Sequence, residues 1–328
     1  MRRLLAIFVL LVLCLGLWLV YGIFLPMKPA QTAYVLLRPG WSSRRIAQEL
    51  KNSGVIRSAN AFVLLHYFRP THKLKAGEYK FDSSANAIQV GDRLAKGDIF
   101  AHTVVIPEGY NMFDIAQAIQ DSGLGSAEDF LKTARSDVAL IRGLDPQAQT
   151  LEGYLFPDTY EFTRTQSMHD MVAMMVKRFE QEAKNIGLHD NVHTIVTMAS
   201  IVEKESAAAD ERPEIASVYY NRLEKRMGLA ADPTIVYAAM LSGNYHGTIY
   251  RSDLEADSPY NTYRHAGLPP GPIANPGTGA LKAAMNPART DYLFFVAEGN
   301  GSGRHRFSST FEQHEKNVIA YRRAMNGH

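Results

Sequence analysis

From position 4 to position 25 the chain runs for 22 residues without a charge; beyond it, apolar residues come in short periodic groups punctuated by glycine, serine and proline. Wound as a helix, that run spans about 33 Å, the thickness of a bilayer's hydrocarbon core. Arg2 and Arg3 precede it, and by the positive-inside rule they keep the short N-terminal end in the cytoplasm and send everything after Pro26 across. A cleaved signal peptide is the rival reading, but its apolar region is about 7–15 residues long and ends in small residues. This one continues through Trp18, Tyr21 and Phe24, and Leu13 fills the place before Cys14 where a lipoprotein signal carries a small residue. The pattern predicts a retained single-pass anchor.

The next periodic groups repeat. Pro39-Gly40-Trp41 leads into Arg45-Ile46-Ala47-Gln48-Glu49-Leu50 and Ser53-Gly54; sixty-nine residues on, Glu108-Gly109-Tyr110 leads into Asp114-Ile115-Ala116-Gln117-Ala118-Ile119 and Ser122-Gly123. Each copy starts with a strand-like run, Tyr34-Val35-Leu36-Leu37 or Thr103-Val104-Val105-Ile106, and continues with apolar residues at helical spacing that stop at the Ser-Gly pair. Second helices are expected over 58–68 and 126–134, each opened by a capping serine, Ser58 or Ser126. Strand, helix, helix is the unit, and it resembles a LysM-like carbohydrate-binding module. Two readings stand side by side: the repeats hold sugar, or they only pack on each other. Between them, 75–81 reads as a turn and short strand and 87–94 as a helix.

Past residue 150 the pattern changes. Leu151-Glu152-Gly153-Tyr154-Leu155-Phe156-Pro157-Asp158-Thr159-Tyr160 is an aromatic run with carboxylates, a mixture suited to sugar faces. Ser258 to Gly277 holds four prolines within eight residues, Pro269, Pro270, Pro272 and Pro276, which forbid helix and strand and predict a stiff loop. Between these loops a helix is expected over 191–208, with Ile195, Met198, Ala199, Val202 and Ser206 on one stripe. It carries Glu203 and Glu205, which being two apart point to different sides. Glu205 follows Met198, Ile201 and Val202, whereas Glu203 follows Ala199 and Ser200. Apolar neighbours raise a carboxyl's pKa toward neutrality and let it donate a proton near pH 7. The alternative is that both glutamates form ion pairs with Lys204 or Arg212. A strand at 293–297 and a last helix at 313–324 complete the reading; Met171, Met174 and Met175 are expected in the core, and His305 and His314 at the surface.

Composition removes whole classes. With 46% hydrophobic and 21% charged residues, 24 Gly and 15 Pro in 328, the chain is neither disordered, collagenous nor polytopic. A formal charge of +2 from 35 basic and 33 acidic residues gives no field that calls for nucleic acid. One cysteine, Cys14, excludes an internal disulfide framework and a thiolate metal site. His189 and His193 have the spacing of a metal pair but lack the intervening acid of the zincin pattern, so no metal and no cofactor is expected. Ser200 has no triad context.

The single anchor, the run from Glu152 to Tyr160, Ala199-Ser200-Ile201-Val202-Glu203-Lys204-Glu205, Asn221-Arg222-Leu223, Asp232-Pro233-Thr234, Tyr260-Asn261-Thr262-Tyr263 and Gly267-Leu268-Pro269-Pro270-Gly271-Pro272-Ile273 occur in one order. Together they resemble the MltG (YceG-like) endolytic murein transglycosylases. One departure is Ala230, where the family usually has Gln two residues before the Asp-Pro-Thr aspartate. The resemblance implies a peptidoglycan lyase in the bacterial inner membrane, its catalytic domain periplasmic, cutting the MurNAc–GlcNAc bond within nascent strands beside the synthases. It places the catalytic acid on Glu205 and suggests Glu152, Asp158, Asn221, Asn261 and Tyr263 as substrate-binding residues. A noncatalytic glycan-binding scaffold and a hydrolytic muramidase are the competing readings. The fold expected is α+β: anchor at 1–27, LysM-like module and connector at 28–100, second repeat at 101–150, and at 151–328 a mainly helical catalytic domain with a small β-sheet.

Overall fold

The computed structural model describes residues 1–206 and 208–326. The chain divides into two compact units, Met1–Thr103 with Glu161–Ser167, and Val104–Tyr160 with the chain from Met168 onward.

The first unit begins with helix α1 (Arg2–Ile23), long and apolar enough to cross a membrane, its side chains exposed as far as Tyr21 apart from a half-covered Leu19. Strand β1 (Ala33–Leu37), helices α2 (Ser43–Asn52) and α3 (Ala59–Tyr67), strand β2 (Gly77–Phe81) and helix α4 (Ala87–Lys96) follow. The strands pair antiparallel, Val35 opposite Tyr79, and bury Val35, Leu37, Tyr79 and Phe81 against Ile46, Leu50, Phe62, Val90 and Leu94. Ser42, Ser58 and Asn86 cap the three module helices with side-chain oxygens that accept backbone N–H groups, satisfying donors a helix start leaves over. At the base of α1, Gly22 passes so close to α3 that a Cβ there would meet Ala61 Cβ at 2.7 Å, so only glycine permits this approach.

Strand β3 (His102–Val105) opens the second copy, with α5 (Met112–Asp121) and α6 (Ala127–Ser136) after it. Both copies have the strand–helix–helix order expected from the sequence, and Ser126 caps α6 as Ser58 caps α3. β3 pairs with β4 (Thr159–Phe162). Apart from the start of β3, the second copy belongs to the same compact unit as the later helices.

Those helices are α7 (Met168–Ile186), α8 (Val192–Glu205), α9 (Arg212–Glu224), α10 (Asp232–Leu241), the short α11 (Arg251–Glu255) and α12 (Thr278–Met285). Then come β5 (Phe294–Ala297), β6 (His305–Ser308) and α13 (Phe311–Asn326). β5 and β6 pair antiparallel, and α13 packs on them. The strands thus form separate two-stranded ladders among the described residues, and β5–β6 is the small sheet expected beyond residue 151.

Four expectations change. Helix α8 ends at Glu205 instead of 208, and every residue from Val196 to Val202 is buried, not one stripe alone, because α9, α10 and α12 all pack against it. Met171 and Met175 enter the core while Met174 is exposed. His305 is not a surface residue: its ring lies against the buried Glu211 carboxylate at 3.0 Å. His314 is half-covered, stacked on Phe294 with ring centres 5.1 Å apart. The prolines from 269 to 276 lie, as expected, in a segment with neither helix nor strand.

Candidate active site

Glu205 is the last residue of α8, at the point where the buried helix leaves the core and Ser206 turns the backbone into an extended conformation. A carboxylate at a helix C-terminus meets the negative end of the peptide dipoles, which disfavours its charge. Burial adds to this and pushes the Glu205 pKa up to about 7; the hydrogen bond from Tyr219 opposes that shift, nearby Asp232 adds to it and Arg222 opposes it. The Tyr219 hydroxyl, from the interior of α9, donates to Glu205 Oε1 at 3.0 Å, and its ring stands edge-on to Phe295.

The carboxyl lies on the wall of a cavity of about 460 Å³, shared with Asp114, Lys204, Asp232, Tyr237, Met240 and Tyr245 among others. Asp232 is the first residue of α10, where proline at the next position suits the helix start. Tyr263 donates its hydroxyl to Asp232 Oδ1 at 2.5 Å. Thr262 pins the same two segments: its hydroxyl accepts Ala231 N–H at 3.0 Å and lies 2.9 Å from the Thr234 hydroxyl. Asn261 folds the loop that presents them. Its amide donates to the carbonyls of Leu254 and Ala256, and its Oδ1 accepts Tyr263 N–H at 3.0 Å.

Glu203 points elsewhere. Its carboxylate takes a 2.7 Å ion pair from Arg212 at the start of α9 and the Gly277 N–H at 3.0 Å, tying α8 to the entry of α12. Burial pushes its pKa up; Gly277 and Arg212 hold it down. Of the two expectations for these glutamates, the ion pair describes Glu203 and the apolar environment describes Glu205.

None of the residues suggested for substrate contact lines the Glu205 cavity itself: Tyr263 touches it through Asp232, and Glu152 through Tyr237. Glu152 is 1% exposed and accepts Met112 N–H and the Asn275 amide, so its carboxyl is enclosed by the protein. Burial pushes it up to about 7 as well. Asn261, with no exposure, is equally enclosed. Asn221 donates to the carbonyls of Thr290 and Tyr292 and lines a different cavity. Asp158 pairs with Arg178 at 2.7 Å, outside the Glu205 cavity. Sequence reasoning missed Asp232 and Tyr219 as neighbours of Glu205. The Asp-Pro-Thr signature is visible in the sequence, with Ala230 as its one departure, whereas Tyr219 gives no signal beyond being an aromatic on a helix.

His189 and His193 do not converge: His189 is exposed beside Asp190, while His193 bonds Asp145 at 2.8 Å and the Pro270 carbonyl at 2.9 Å. The Ser200 hydroxyl donates to Thr197 O and accepts Ile273 N–H, holding the proline loop against α8.

The model of the YceG-like family matches residues 35–320, most of the chain. The chain belongs to the YceG-like family. Among curated relatives of this YceG-like chain is an endolytic murein transglycosylase of Bacillus subtilis (strain 168), 35% identical over 308 residues that cover 87% of this chain and 83% of the relative. Another of the same name, from Streptococcus pneumoniae, is 29% identical over 334 residues, covering 90% of this chain and 60% of the relative. A 2.6 Å crystal structure of a yceG-like protein from Listeria monocytogenes superposes with a TM-score of 0.57 at 35% identity, covering 87% of this chain and 99% of that one. The family match, residues 35–320, takes in both repeats and the helix that carries Glu205.

Proposed function

We propose that this chain is an endolytic murein transglycosylase that cuts the β-1,4 bond between N-acetylmuramic acid and N-acetylglucosamine inside nascent glycan strands and leaves 1,6-anhydromuramyl ends. One observation carries the reading: a carboxyl at a helix end, pushed up to about 7 by burial, opens onto a cavity of about 460 Å³. The relatives named for this activity support the substrate class.

At pH 7 such a group is present in both protonation states, which suits it to give and then take a proton. Protonated Glu205 donates to the glycosidic oxygen as the bond to muramyl C1 breaks. The muramyl C6 hydroxyl oxygen then bonds to C1, and its proton goes to the Glu205 carboxylate, so the enzyme ends as it began and no water is consumed. The nucleophile is tethered to the carbon it attacks, an advantage that effective molarities of about 10⁵ M or more describe. Tyr219 fixes the carboxyl's orientation. Asn261, Glu152 and Asn221 serve by holding backbone segments and not by touching sugar.

Hydrolysis is the second reading, favoured by one specific feature: Asp232 shares the Glu205 cavity, and paired carboxyls are the mark of glycosidases that use water. In the lead reading α1 anchors the chain in the inner membrane with its N-terminus in the cytoplasm, the catalytic unit works in the periplasm beside the synthases, and the LysM-like repeats either hold glycan or only pack on each other. Incubating the full chain in detergent with uncrosslinked glycan strands tests the endolytic claim. Internal cutting shortens the strands to mid-length pieces from the first turnovers, whereas release of disaccharides alone, or strands left whole, overturns it.

A further inference from the structure

We infer that Asp232 is the second carboxylate of this reaction: an ionised counter-charge, held in place by Tyr263, that faces the muramyl ring and stabilises the positive charge developing there as the glycosidic bond breaks. The inference rests on the transglycosylase reading above and adds to it a residue and a role.

The geometry sets the two carboxyls in opposite environments. Glu205 ends α8, and Asp232 begins α10. A helix C-terminus is a poor place for a carboxylate and a helix N-terminus a good one, because the peptide dipoles point their negative end at the first and their positive end at the second. Both line one cavity, so a saccharide lying against Glu205 also meets Asp232. The Tyr263 hydroxyl gives Asp232 Oδ1 a bond of 2.5 Å, the length expected for an O–H donating to an ionised oxygen. Tyr263 is itself held through its N–H by Asn261, and Thr262 fastens the loop to the α10 start. The charge is therefore fixed before substrate arrives, and preorganised charge stabilises a transition state without reorganisation at the moment of reaction.

A lyase with a tethered nucleophile has no water for a second carboxylate to activate. Charge stabilisation at the oxocarbenium-like ring is the task left for it. The groups around Glu205 are Tyr219 and Arg222 from α9, Asp232 from α10, Lys204 beside it on α8 and Tyr263 bonded to Asp232, with Asp114, Tyr237 and Tyr245 also lining the cavity. Lys204 is turned to the Gly109 carbonyl, and one Asp114 oxygen accepts the Asn111 N–H. Burial pushes the Glu205 pKa up, and Asp232 adds to that shift.

The test compares Asp232→Asn, Tyr263→Phe and Glu205→Gln in the full chain, with turnover of uncrosslinked glycan strands followed against pH. Asp232→Asn should lower kcat about 100-fold, the scale seen when one preorganised electrostatic contact is removed. It should also move the alkaline limb of the kcat/KM profile to lower pH, since losing a nearby anion lets Glu205 ionise sooner. Tyr263→Phe keeps the charge and loses its fixation, so kcat should fall less and the limb shift less. Anhydro ends should persist in the residual product of both. An Asp232→Asn enzyme within threefold of wild type overturns the inference, and so does a loss of turnover with the alkaline limb unmoved. Residual product that changes from anhydro to reducing ends overturns it too. Should Asp232→Asn fail to fold, Asp232→Ser, which also suits a helix start, carries the same measurement. An active Glu205→Gln enzyme brings down the underlying reading instead; an inactive one beside an unchanged Asp232→Asn brings down this inference alone.

Discussion

Glu203 and Glu205 stand two residues apart on α8, yet Glu203 ends on the Arg212 guanidinium at 2.7 Å and Glu205 on the Tyr219 phenol at 3.0 Å. The first is a charged partner that opposes the upward push of burial on its carboxyl; the second is a neutral hydroxyl donating to a carboxyl that burial pushes up to about 7. Near-identical sequence positions thus acquire different chemistry from what α9 brings to each side.

Replacing each glutamate by glutamine separates these roles. Glu205→Gln should lower turnover by about 10²–10⁴-fold, the usual worth of a general acid–base group, and leave the melting temperature at pH 7 level or higher. Glu203→Gln should do the reverse: the folded fraction keeps its turnover, but stability falls by about 3 kcal/mol or more because Arg212 loses its closest buried partner. Turnover and thermal melting on the same samples decide it, and a dead but stable Glu203→Gln enzyme would exchange the assignments.

Stability should fall as pH rises from 5 to 8. Glu152 and Glu205 both have folded pKa values near 7, raised above the unfolded carboxyl value near 4.5. In that window the folded state holds protons the unfolded state has released, so each group's contribution is full below the unfolded pKa and is lost as pH climbs through the folded one. Melting curves across the range should flatten in part for Glu152→Gln and in part for Glu205→Gln. An identical slope in all three proteins contradicts the assignment of both groups.

Asn261 and Asn221 should differ in what they cost. Asn261→Ala removes the acceptor that orients Tyr263 and takes the amide donor from the Leu254 and Ala256 carbonyls, so it should lower stability by about 1 kcal/mol and also lower kcat in the folded fraction. Asn221→Ala strands carbonyls near β5, away from the Glu205 cavity, and should cost stability while the folded fraction works normally. Urea melts paired with turnover per folded molecule check both.

What could be read from the sequence was whatever depends on local pattern. The copies sixty-nine residues apart became helices in register, Ser43–Asn52 and Met112–Asp121, because cap, apolar spacing and stop signal are all written in the local chain. The proline loop is equally local. Tertiary contacts decided the rest. Periodicity gave α8 one apolar stripe, but Thr197 and Ser200 are buried too; the Ser200 hydroxyl is met by the Thr197 carbonyl and the Ile273 N–H, contacts a stripe does not record. Asn221 and Asn261 carry the chemistry of sugar-binding residues, and only their backbone partners reveal them as braces. Asp232 comes to Glu205 through the meeting of two helix ends 27 positions apart in the sequence. No local signal encodes that encounter.

The most direct measurement of the central claim is the mass of the muropeptides released when the full chain, and its Glu205→Gln variant, act on uncrosslinked glycan strands. A glutamate that gives and takes one proton while the sugar closes on itself predicts new muramyl ends one water lighter than reducing ends, absent with the variant. Reducing ends from the wild-type chain, or anhydro ends from the variant, would contradict it.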